Sequence, residues 1–149
     1  MKTLRLIISV FVFIAVVFFL GCRKENIKAI TDFEELDRLI ANEEILKYDM
    51  RLYEECSEGH IANFMCFGPD IVEDYQVKIE KLVKSILLSY PNKTKKIVVI
   101  TDDDDYALMM LQALEKEGYP ALYYYKGGYH QYVNDKQGDF VPEKGCNCE

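Results

Sequence analysis

The sequence predicts an α/β domain of three layers, a mainly parallel central sheet flanked by helices. Three observations carry that prediction. Ile97-Val98-Val99-Ile100 is an uninterrupted apolar run, the mark of a strand buried on both faces of a parallel sheet. Four aspartates follow, and then a helical pattern from about Tyr106 to Lys116 that closes at Gly118, a residue suited to the position just past a helix end. A second strand, Ala121 to Tyr125, comes next, so the order is strand, acidic turn, helix, glycine, strand. That is a βαβ unit, whose strands run parallel.

The remaining elements follow in chain order. Thr31-Asp32-Phe33-Glu34 reads as a capping box, with the Thr31 hydroxyl and the Glu34 carboxylate satisfying free amides at a helix start. That helix is expected to reach about Asn42, with Phe33, Leu36, Leu39 and Ile40 on one face. Ile45 to Met50 reads as a strand. Ile71 to Tyr90 places Ile71, Tyr75, Ile79, Leu82, Val83, Ile86 and Leu87 at helical spacing, and Pro91-Asn92 stops it. Gly127-Gly128 is expected to turn the chain after the last strand. No internal repeat is visible.

The first 21 residues read as an export leader: Lys2 and Arg5, then an apolar run from Leu6 to Leu20. The run is short for a spanning helix, which needs roughly 20 apolar residues. It ends at Phe19-Leu20-Gly21-Cys22, which resembles the lipobox of bacterial lipoproteins. The resemblance implies that Cys22 becomes the acylated first residue of the mature protein; the alternative is an uncleaved anchor in which Cys22 is incidental. Residues 22–28 then form a polar linker, 29–135 the domain, and 136–149 a tail.

Composition narrows the partners. The chain carries 18 basic and 25 acidic residues, a net charge of −7, and a leader that takes Lys2 and Arg5 with it leaves the rest more acidic. Such a surface repels nucleic acid and anionic lipid headgroups. A hold on the membrane therefore falls to the lipid itself, and the expected location is the exported side of a bacterial envelope membrane.

Tyr48-Asp49-Met50-Arg51-Leu52-Tyr53-Glu54-Glu55-Cys56-Ser57-Glu58-Gly59-His60-Ile61 resembles the rhodanese-like domain family. Members carry a strand ending in Asp-x-Arg, a short helix with a Glu-Glu-aromatic step, and then Gly-His-Ile. Gly118-Tyr119 and Lys126-Gly127-Gly128-Tyr129 match in order and separation, so the resemblance covers about Ile27 to Val133. Read as residues alone, Asp49 and Arg51 with Glu55 suggest a polar clasp at the strand-to-helix corner; the functional reading is that they line the pocket mouth. His60 is expected to be a hydrogen-bonded structural histidine and Gly59 to serve the backbone.

In active members of that family a cysteine stands directly after the buried strand and accepts sulfur as a persulfide, its thiolate stabilised by loop amides and a helix N-terminus. The corresponding position here, set by Ile97 to Ile100 and by the interval to Gly118, is Thr101. A hydroxyl cannot carry a persulfide. The loop reads Thr101-Asp102-Asp103-Asp104-Asp105-Tyr106, and four carboxylates would raise a thiol's pKa and repel an anionic substrate. The resemblance implies a fold related to sulfurtransferases; this loop implies a member without their chemistry, so no catalytic residue and no cofactor is expected. Helix capping by Thr101 or Asp102 accounts for part of the run. The remainder is a candidate site for a cationic ligand or protein partner, and lacks the spacing of a calcium loop.

Four cysteines lie beyond Cys22: Cys56, Cys66, Cys146 and Cys148. Their even number permits disulfides, and spacing leaves the connectivity open. Cys56 is expected to be a buried small hydrophobe, and neither His60 nor His130 is expected to join a metal site. The Cys146-x-Cys148 tail offers an alternative function, sulfur or thiol-redox chemistry away from the loop. The tyrosines from Tyr119 to Tyr132 are expected to pack at the core and rim, with some available to a partner.

Overall fold

The computed structural model describes residues 26–145. The leader, Cys22, Cys146 and Cys148 lie outside the described residues. Five strands form one parallel sheet in the order β1-β5-β4-β2-β3. They are β1 (Ile27–Ile30), β2 (Leu46–Asp49), β3 (Met65–Cys66), β4 (Ile97–Ile100) and β5 (Leu122–Tyr125). The helices are α1 (Phe33–Ile40), α2 (Tyr53–Glu58), α3 (Tyr75–Ser89), α4 (Asp104–Lys116) and α5 (Gly128–Asp135), with a 3-10 turn at Val72–Asp74. No helix among the described residues is long and apolar enough to cross a membrane.

The central strand shows why its sequence is apolar throughout. Ile97 and Val99 face the cluster built by Ile79, Leu82 and Ile86 of α3 with Met110, Leu111 and Leu114 of α4. Val98 and Ile100 face the opposite cluster, with Leu36 of α1, Phe64 and Tyr132 of α5. All four are fully buried, so period-two alternation divides them between two cores and leaves no polar position. Tyr124 joins the first cluster, while Tyr123 and Tyr125 join the second, as the pleat requires.

Several boundaries differ from expectation for local physical reasons. The cap of α1 is Asp32, whose carboxylate accepts from the Glu34 amide at 2.9 Å, in place of the Thr31 box. The start of the expected helix at Ile71 to Tyr90 is a 3-10 turn, and Ile71 and Val72 are exposed. Ile27 and Lys28, expected in a linker, belong to β1, paired with Leu122 and Tyr123 of β5. Helix α5, expected only as a turn, begins at Gly128. Both missed elements are short and take their stability from packing rather than from their own periodicity.

Candidate functional site

The carboxyl ends of β2, β4 and β5 converge, and ligands of open parallel sheets bind at such ends. Thr101 leaves β4 there. It is 1 % exposed, and its hydroxyl donates to the Asp103 carbonyl oxygen at 2.5 Å. Its own carbonyl accepts from the Tyr129 amide at 2.9 Å. Asp103, not Thr101 or Asp102, caps α4: its backbone is extended and its carboxylate accepts from the Asp105 amide at 2.9 Å. Only the residue directly ahead of the first helical residue can aim its carboxylate at those amides, and Thr101 is still held at the strand end.

Asp104 has a different task. Its Oδ1 accepts from the Gly127 amide at 2.9 Å and ties the start of α4 to the turn ahead of α5. Gly127 is left-handed at φ 81°. Gly128, at φ 69°, lies so close to the loop that a Cβ there would meet the Thr101 carbonyl oxygen at 2.0 Å. The paired glycines thus let α5 pack directly on the loop. Asp105 points from the first turn and is exposed.

Asp49 and Arg51 are both buried, at 0 % and 3 % exposure. The Arg51 Nη2 donates to Asp49 Oδ2 at 2.7 Å and to the Gly59 carbonyl oxygen at 2.7 Å, while Nε reaches both carboxylate oxygens at 3.1 Å. The Arg51 amide also donates to Asp49 Oδ1 at 3.0 Å. The guanidinium lies 3.4 Å over the Tyr129 ring. The clasp reading of this pair therefore describes the geometry, with one change: Glu55 is exposed, and its field falls on Tyr75 and Asp102.

Asp102 borders the mouth of the site. Burial raises its carboxyl above the usual value, against the opposing pull of Arg51 and His130. The His130 Nε2 lies 3.6 Å from Asp102 Oδ1. Tyr75 stacks on Tyr106 with centroids 3.7 Å apart and planes at 7°. Burial, then Asp102, Glu55, Tyr106 and Asp49, push the Tyr75 hydroxyl upward, so it stays protonated. Burial likewise raises Tyr129 against the pull of Arg51. From sequence Tyr75 is read only as part of a helical face and His130 only as no metal ligand, so the sequence alone places neither at this site. Each lies on a different helix from the loop, and only Tyr129 carried a signal, through the Lys126-Gly127-Gly128-Tyr129 step.

A polar cleft of about 410 Å³ flanks the loop, lined by Thr31, Asp104, Lys126, Gly127, Gln131 and Asp135. A slightly larger hollow, about 460 Å³, is lined by Ile40, Leu46, Lys47, Phe64 and Met65, at the other end of the sheet from Thr101. Asp103 and Asp104 each accept from a backbone amide, and Asp102, Asp103 and Asp105 are exposed at the surface of the loop.

Cys56 is not a lone hydrophobe. It forms a disulfide with Cys66, linking α2 to β3, with Cα atoms 5.7 Å apart. His60 is buried, and its Nδ1 lies 3.1 Å from the Cys56 carbonyl oxygen, the structural role expected of it. It nevertheless sits beside both sulfurs, so the cluster that sequence separation concealed is Cys56, His60 and Cys66. The chain from Glu143 packs here too: His60 and Glu143 exchange backbone bonds at 2.9 Å, and the Gly145 amide donates to Ser57.

Over residues 32–135 the sequence matches the family model of the rhodanese-like domain. No curated protein matches. Among solved structures, the fold is similar to the Alr3790 protein from Anabaena sp., at 21 % identity and TM-score 0.58, covering 76 % of this chain and 91 % of that one. It is similar to Ygr203w, described as a yeast protein tyrosine phosphatase of the Rhodanese family, at 15 % identity and TM-score 0.55, covering 77 % and 90 %. It is also similar to the human single-domain sulfurtransferase TSTD1, at 18 % identity and TM-score 0.52, covering 74 % and 96 %.

Proposed function

The chain belongs to the rhodanese-like domain family, and from that premise we propose that it is a member without sulfur-transfer activity, lipid-anchored through Cys22 and serving as a binding module for a cationic partner. The observation that carries this reading is Thr101. It occupies the end of β4, is buried, and has its hydroxyl bonded to the Asp103 carbonyl. Persulfide chemistry needs a thiolate presented to substrate, and phosphatase chemistry on this fold needs the same group. The carboxylates around it oppose both, because they destabilise a thiolate and repel an anionic substrate.

The binding role rests on what those carboxylates leave exposed. Asp102 and Asp105 are exposed, and the field of the exposed Glu55 falls on Asp102. A basic peptide segment suits that surface better than an anion does. The anchor on Cys22 would hold the module at a membrane on the exported side of the bacterial envelope, where no soluble substrate need be captured.

Isothermal titration of the protein with a lysine-rich peptide and with Ca²⁺ tests the binding role. The peptide is expected to bind, to weaken with added salt, and to weaken further in Asp102→Asn/Asp105→Asn; silence toward both probes would leave the aspartates as helix and turn supports only. Cys22→Ser is expected to move the protein out of the lipidated membrane fraction.

A second reading, thiol or sulfur chemistry at Cys146 and Cys148, is favoured by one contact. The Gly145 amide bonds to Ser57, next to Cys56, so the tail leaves the domain beside a disulfide. A thiosulfate-to-cyanide assay separates the two. Turnover that disappears in Cys146→Ser/Cys148→Ser supports the tail, and turnover that survives it contradicts the reading of Thr101.

A further inference from the structure

The Cys56–Cys66 disulfide has a third member beside it. The two sulfurs and one ring nitrogen of His60 all lie within 4.8 Å of one another, and all three residues are buried. The Nδ1 of His60 is 3.1 Å from the Cys56 carbonyl oxygen. A carbonyl oxygen only accepts, so in the neutral ring Nδ1 carries the proton and Nε2 keeps its lone pair. That Nε2 is buried and has no hydrogen-bond partner among the described residues. The Glu143 carboxylate, 3.8 Å away, has only acceptors to offer a lone pair. A buried polar atom left in this state calls for a reason, and an ion is one of the few available. An N–H fixed on a backbone carbonyl with the other nitrogen bare is also the arrangement that metal-ligating histidines share.

We propose that Cys56, Cys66 and His60 form a redox-gated site for a soft or borderline metal ion, closed while the sulfurs are joined and open to Zn²⁺ when they are reduced. In a zinc centre with bonds of about 2.3 Å to sulfur and about 2.0 to 2.1 Å to nitrogen, neighbouring ligand atoms stand roughly 3.5 to 3.8 Å apart. The two sulfurs and one ring nitrogen of His60, grouped within 4.8 Å, would need only small side-chain shifts to take that spacing once the S–S bond opens. Charge supports the choice of ion, because two thiolates and a neutral imidazole around a dication make a neutral centre, as a buried site requires. Three protein ligands leave a fourth position, on the side bordered by the half-exposed Glu143 side chain.

The steps balance. A dithiol reductant of the thioredoxin class supplies two electrons and two protons, the Cys56–Cys66 bond breaks, two thiols form, and the reductant leaves as a disulfide. Zinc then displaces both thiol protons and forms two bonds to sulfur and one to nitrogen. The same sulfurs cannot be in a disulfide and on the metal, so the redox poise of the compartment selects the form.

The test uses the full chain in mild detergent carrying Cys22→Ser, Cys146→Ser and Cys148→Ser, so that Cys56 and Cys66 are the only cysteines. After reduction with a dithiol and its anaerobic removal, one equivalent of Co²⁺ is expected to produce thiolate-to-cobalt charge-transfer absorption, which Zn²⁺ displaces. Reoxidation with oxidised glutathione abolishes it. His60→Gln, which leaves both thiols in place, is expected to weaken binding by at least about tenfold with unchanged circular dichroism. The proposal fails if the reduced, folded protein binds no cobalt, if the absorption survives Cys66→Ser, or if His60→Gln leaves affinity unaltered. Should the reduced chain unfold without metal, Zn²⁺ must restore the native circular dichroism, and failure to do so overturns it equally.

Discussion

The guanidinium of Arg51 lies 3.4 Å above the centre of the Tyr129 ring while its nitrogens hold the Asp49 carboxylate. One buried cation thus joins β2 to α5 across the mouth of the loop. Arg51→Ala would strand the Asp49 charge in the interior, at a cost of about 3 to 5 kcal/mol. Tyr129→Leu removes the cation–π contact, about 1 to 2 kcal/mol, together with the edge-on ring contacts to His130 and Phe140. Urea denaturation of both single variants and the double variant is expected to show losses that do not add, because the two side chains share one contact. Additive losses would mean that the ring contributes packing alone.

Gly128 and Gly138 separate close approach from backbone strain. Both have positive φ, but a Cβ at Gly128 would strike the Thr101 carbonyl oxygen, whereas one at Gly138 meets nothing within 4 Å. Gly138→Ala is expected to cost on the order of 1 kcal/mol, from the left-handed backbone alone. Gly128→Ala should cost several times more and lower the midpoint of thermal unfolding correspondingly, since the loop backbone must move.

Thr101→Cys by itself is expected to leave thiosulfate-to-cyanide turnover at background. The new thiol would stand beside Asp102 and Asp103, whose charges oppose its ionisation. Measured sulfur transfer in this single variant would show that loop charge is not the obstacle.

Asp102 gives the fold a pH dependence of definite sign. Burial raises its native carboxyl above 3.8, against Arg51 and His130. The native state therefore holds this proton more tightly than the unfolded chain, and the contribution of Asp102 to stability falls as pH climbs from 3.8 through the raised value. Asp102→Asn is neutral throughout. Its unfolding midpoint is expected to exceed the parent's at neutral pH, with the difference shrinking as the pH drops below 3.8. A difference that grew in acid would reverse the assignment.

Much of the architecture was legible in the sequence because its causes are local. Ile97 to Ile100 announce a two-sided strand through four consecutive apolar residues, and Gly118 marks a helix end through its left-handed φ of 91°. The same register put Thr101 at the strand end, where the structure has it. Asp49 and Arg51 were visible as a pair because only one residue separates them.

The rest was decided by tertiary packing. Ile27–Ile30 is four residues with no pattern of its own, and it is a strand because β5 lies open beside it. The four aspartates look alike in sequence, yet Asp103 caps a helix, Asp104 binds the Gly127 amide and Asp102 meets His130. The sequence determined which charges and which cysteines this domain possesses, and the strand and helix periods that bring the chain into layers. Only the closed fold decided which of them touch, because the partners of Asp104, Arg51 and Cys56 come from other elements, and no local pattern encodes a contact made across a sheet.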